Sequence, residues 1–141
     1  MIEHLKHEDI NLGIIIRRSY STEGIDFFTQ DEDSLQLGYM KREKEYSIQP
    51  HVHNPVERVI SFTHEVLYIK SGKVRVDFYT NEKKYLRSII AESGDVLLLM
   101  DGGHGFKMLE ESEIIEVKQG PYVGNRDKTR FTSVEDSKVI V

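Results

Sequence analysis

Three features of the sequence predict an all-β fold. No stretch of about ten residues carries the three-and-four spacing of apolar residues that an amphipathic helix needs. Short segments rich in Val, Ile, Leu, Tyr and Phe recur instead, separated by Gly, Asn, Asp and Ser at intervals of roughly 8 to 12 residues. In the middle of the chain these segments alternate: Glu65, Leu67 and Ile69 share one face and Val66 and Tyr68 the other, while Val74, Val76 and Phe78 alternate with Arg75, Asp77 and Tyr79. A sandwich or small barrel follows, because half-buried strands of period two need a second sheet over their apolar side.

Taken in order, the first element is the β-branched run Ile14-Ile15-Ile16, a short buried strand between Gly13 and the Arg17-Arg18 pair. His4 and His7 precede it in polar sequence and read as exposed. Gly24 to Thr29 forms a second strand, ended by the acidic turn Gln30 to Ser34, and Leu35 to Met40 a third. Lys41 to Lys44 is a charged connection, and Tyr46 to His53 is expected to be extended, with Pro50 marking an edge or an irregularity. Glu65 to Ile69 and Val74 to Tyr79 form a hairpin about Lys70-Ser71-Gly72-Lys73. Tyr85 to Ile90, Val96 to Met100, Phe106 to Leu109 and Ile114 to Lys118 complete the series. Asp95 serves the turn before its strand, and Asp101 to Gly105 is a flexible loop carrying His104. Beyond Gly120, residues Asn125 to Arg130 make a basic loop, and the last residues form a short strand or fray.

A chain of 141 residues supports one domain with a substantial core. Charged residues make up 30% with a net charge of −5 and no cluster of excess Lys and Arg, which excludes a nucleic-acid footprint. Cysteine is absent, so any metal is held by nitrogen and oxygen and no thiol nucleophile exists. The acidic N-terminus does not read as a signal peptide and no apolar run reaches membrane-spanning length, so a cytoplasmic protein that engages neither membrane nor nucleic acid is expected.

The candidate site lies between Pro50 and His104. His51 and His53 are one residue apart, which in an extended strand places both imidazoles on one face, where they can share a metal ion. Glu65 precedes the hairpin Gly72 with six residues between them, and a buried strand after Gly94-Asp95 leads into Gly102-Gly103-His104. This order resembles the two motifs of the cupin superfamily over residues 51 to 104. The resemblance implies a double-stranded β-helix, the jelly-roll barrel, made of residues 46–119 with an N-terminal strand extension (1–45) and a C-terminal tail (120–141). It implies a metal held by His51, His53, Glu65 and His104.

Eleven residues separate His53 from Glu65 where the usual first motif has three or four, so Glu57 competes for the carboxylate position and His64 is an extra or substitute ligand. The relation to Gly72 favours Glu65, with Asn54 to Thr63 as an inserted loop at the barrel mouth. In the second motif Met100 stands at the usual proline position and Met108 at the usual asparagine position. A nitrogen and carboxylate set of this kind suits Zn, Fe, Mn, Ni or Co as divalent ions.

The runs around His51-Val52-His53-Asn54, Glu65 to Gly72 and Val117 to Tyr122 are also similar to small cupins of bacterial surface-polysaccharide and sugar-nucleotide genes. The expected function is metal-assisted isomerisation or epimerisation of a carbohydrate or sugar nucleotide, with Glu65, His64 or Tyr68 moving a proton. An Fe(II)-dependent dioxygenase and a non-catalytic sugar-binding or regulatory module are the alternatives. The N-terminal extension suits strand exchange, so a homodimer is expected.

Overall fold

The computed structural model describes residues 1–141 and contains ten strands, two short 3-10 turns and no α-helix. The strands are β1 (Ile2–His7), β2 (Ile10–Ile16), β3 (Gly24–Phe27), β4 (Gly38–Lys41), β5 (Glu65–Ser71), β6 (Lys73–Tyr79), β7 (Tyr85–Glu92), β8 (Val96–Leu99), β9 (Gly103–Met108) and β10 (Glu113–Lys118). Contacts divide the chain into a larger unit, Met1–Tyr20 with Thr63–Val141, and a smaller one, Ser21–Phe62. No helix is long and apolar enough to cross a membrane.

The larger unit is a pair of antiparallel sheets, five strands in the order β1-β2-β8-β5-β10 and three in the order β7-β6-β9. Their inward faces make one core. Leu5, Leu12, Ile15, Leu67, Ile69, Leu97 and Leu99 come from the first sheet, and Val74, Val76, Phe78, Ile89 and Ala91 from the second. Burial of each large apolar side chain contributes roughly 1.5–3 kcal/mol, and these side chains fix which face of every strand points inward.

The β5–β6 hairpin closes at Gly72 with φ +86°, where a Cβ would stand 2.3 Å from Ser112 Oγ and 2.4 Å from the Glu111 carbonyl. Only glycine fits there. The turn before β8 is organised by Asp95, whose carboxylate accepts from the Arg18 and Glu92 amides and from Arg17 Nη1 at 2.9–3.0 Å.

Four expectations change. The polar sequence around His4 and His7 is a strand, because β1 lies at a sheet edge and needs only Leu5 for the core while its backbone pairs with β2. His104 is not in a loop: β9 begins at Gly103, and its backbone pairs with β6 across Tyr79, Phe78 and Asp77. Tyr46 to His53 is not a strand. Residues 42–62 hold no strand or helix, and the smaller unit has only the β3–β4 hairpin. Pro50 and Pro55 withdraw two amide donors from a segment whose side chains are exposed throughout. The tail forms no strand. It contains 3-10 turns at Gly124–Asp127 and Asp136–Lys138, and its last residues are strapped across the outer face of the three-stranded sheet. Val134 N–H donates to Tyr79 Oη at 3.0 Å, Ile140 N–H to Tyr85 Oη at 2.9 Å, and Ser88 N–H to the Ile140 carbonyl at 2.7 Å.

Candidate functional site

Strand parity places Glu65 inside. On β5 it shares a face with Leu67 and Ile69 and is 6% exposed. On β9, His104 lies opposite Phe78, a core residue of β6, so it also faces inward. Residues directly opposite each other in an antiparallel pair share a face. The carboxylate of one sheet therefore meets the imidazole of the other across the sandwich, with His104 Nε2 and Glu65 Oε2 3.2 Å apart. His104 packs at 5.5 Å from the Phe106 ring. The approach to β9 depends on Gly102, at φ +79°, where a Cβ would lie 2.6 Å from the Tyr79 carbonyl and 2.8 Å from Leu12 Cδ2.

The hydrogen bond with His104 holds the Glu65 carboxyl below the usual carboxylate range. Burial pushes the other way, and the charges of His104, Lys128 and Lys118 reinforce the lowering. Glu65 is thus a buried, ionised carboxylate that accepts one side-chain hydrogen bond.

The donor atoms fit a divalent metal. Two ligands about 2.1 Å from one ion, at tetrahedral or octahedral angles, lie about 3.0–3.4 Å apart, and the His104–Glu65 separation of 3.2 Å falls in that range. A nitrogen beside an ionised oxygen is also the donor chemistry such ions take.

The four expected ligands occur as two pairs. Glu65 and His104 adjoin each other in the larger unit. His51 and His53 belong to the smaller unit, where their rings lie 5.2 Å apart at 75° in a segment that is not a strand, and His51 Nδ1 is 2.9 Å from the Gln49 carbonyl oxygen. Within neither unit do three His, Asp or Glu side chains converge. Glu57 is exposed in the smaller unit. His64 is 7% exposed and directly precedes β5, its carbonyl accepting the Gln119 amide at 3.0 Å. Tyr68 lies on the opposite face of β5 from Glu65 and is 39% exposed, which separates its hydroxyl from the Glu65–His104 pair.

Of the two lysines beside the site, Lys118 went unnoticed in the sequence, whereas Lys128 belongs to the basic loop Asn125 to Arg130. Lys118 of β10 is the cross-strand partner of Glu65. Lys128 follows Asp127, whose Oδ1 accepts a hydrogen bond from Thr63 Oγ1 and so ties the basic loop to the start of β5. The period-two pattern of Ile114 to Lys118 signals a strand, but its register against β5 depends on the bulge between Glu113 and Ile114. No protein-family model matches the chain, and neither a curated protein nor a solved structure is similar enough to count as a match.

Proposed function

We propose that this chain is a metal-binding jelly-roll protein of the cupin type that acts on a carbohydrate or sugar nucleotide by isomerisation or epimerisation. One observation carries the reading: Glu65 is a buried carboxylate held ionised, with a single side-chain hydrogen bond, 3.2 Å from the imidazole of an opposing strand. The strand order supports the jelly-roll form, since β5, β8 and β10 belong to one sheet and β6, β7 and β9 to the other, so the chain crosses repeatedly between them. In this reading Glu65 and His104 are ligands.

A bound divalent metal supplies polarisation of a sugar carbonyl or hydroxyl oxygen. The protein's own part is to orient the sugar against the inward faces of β5 and β9 and to move a proton between adjacent carbon and oxygen atoms. Glu65 is suited to this by its ionised state. Tyr68, on the other face, takes no part.

The test is elemental analysis of protein purified without an affinity tag, repeated on His104→Ala and Glu65→Gln. The expected result is near-stoichiometric transition metal in the unaltered chain and loss of most of it in each variant. Unaltered protein free of transition metal, or a His104→Ala variant that keeps its metal, overturns the assignment.

A further inference from the structure

We infer that the Glu65–His104 site takes a ligand carrying phosphate, held by Lys118 and Lys128. This rests on the sugar-nucleotide reading and narrows it, because a neutral sugar has no use for these cations. Residues 118–130 contain four basic side chains, Lys118, Arg126, Lys128 and Arg130, and one acidic one, Asp127. Their net +3 (4 − 1) stands in a chain of net −5.

The placement of this segment is built in. Lys118 lies directly across from Glu65 in the β5–β10 register and so emerges on the same side of the sheet, solvent-exposed on the edge strand. The loop is tied down by its single acid: Asp127 accepts from Thr63 Oγ1, two residues before Glu65, which brings Lys128 to the same end of the sandwich. None of the four basic residues forms an ion pair with a carboxylate, nor do Lys83 and Lys84, so what sets Lys118 and Lys128 apart is their position beside Glu65. The charge of both lysines reaches Glu65. One carboxylate already bonded to His104 leaves these ammonium groups in surplus, and cations left unpaired around an inward-facing site attract an anion. Lysine binds phosphate as a point charge without a fixed angular demand, which suits donors from a strand end and a loop acting together.

The experiment is calorimetric titration of the full chain at low salt with sodium pyrophosphate, UDP-glucose and glucose, on protein as purified and again after chelator dialysis. Pyrophosphate and UDP-glucose are expected to bind and glucose not to, in both preparations. The double variant Lys118→Gln/Lys128→Gln should weaken both anions at least tenfold. A control with equal charge loss, Lys83→Gln/Lys84→Gln in the turn between β6 and β7, should leave them unchanged.

Unaltered affinity in the first double variant, equal loss in both double variants, or glucose binding as tightly as UDP-glucose overturns the inference. Circular dichroism verifies that both variants fold. Because the anions are also tested without metal, a negative result here leaves the elemental analysis untouched, and absence of metal leaves this test untouched.

Discussion

Two buried carboxylates of the larger unit, Asp77 and Glu65, sit in opposite electrostatic situations. Asp77 lies on the outer face of β6 and is 3% exposed. It accepts two bonds from Arg75, at 2.8 and 3.0 Å, and one from Ser88 Oγ. Arg75 in turn donates to Asp136 of the tail at 2.9 Å. Glu65, equally buried on the inward face, accepts from His104 alone. A carboxylate bound by three protein donors holds structure together, whereas Glu65 is tied to the rest of the protein through a single imidazole. Burial alone therefore does not mark a functional acid.

The largest expected effect breaks the comparison from the Asp77 side. Asp77→Ala leaves the buried guanidinium of Arg75 without its bidentate partner and should lower unfolding stability by about 3–5 kcal/mol. Glu65→Gln keeps the shape and one hydrogen-bonding site and should change stability by no more than about 1 kcal/mol. Urea unfolding followed by circular dichroism measures both; equal losses would place the two carboxylates in the same class.

The acid limb sharpens the comparison. The Glu65 carboxyl titrates below its ordinary value in the folded chain, so the unfolded state takes up its proton first as pH falls. The stabilisation is present above the ordinary glutamate range and is lost as pH drops through the lowered value. Carboxyl-carbon NMR should show Glu65 titrating below typical exposed glutamates and shifting upward in His104→Ala. An identical midpoint in the variant would mean that the imidazole is not the cause.

The smallest effect concerns the strap. Tyr85 Oη meets Ser88 Oγ at 2.8 Å and accepts the Ile140 amide at 2.9 Å. Tyr85→Phe should cost about 1 kcal/mol and raise amide exchange at Ile140, while metal content stays as in the unaltered chain. Loss of metal in this variant would show that the outer face and the inward site are not independent.

Much of this organisation is legible in the residues. The alternation from Glu65 to Tyr79 gives two strands, their faces and the hairpin at Gly72, because period two and a left-handed glycine are local properties. The strand character of β1 and of the first half of β9, Gly103 to Gly105, was not legible: both are polar or glycine-containing segments that become strands by pairing with a neighbouring strand. The reverse holds for residues 46–53, where an extended reading met no pairing partner among the strands.

By itself, then, the sequence determined the all-β character, the strand faces, and the residue types able to hold a divalent metal. Tertiary structure decided that Glu65 meets His104 across the sandwich, that Lys118 stands opposite Glu65, and that Thr63 holds Asp127. The physical reason is reach. Strand propensity and side-chain parity act over two or three residues, whereas these contacts join positions 39, 53 and 64 residues apart (104 − 65, 118 − 65 and 127 − 63) and exist only once sheet order and register are set.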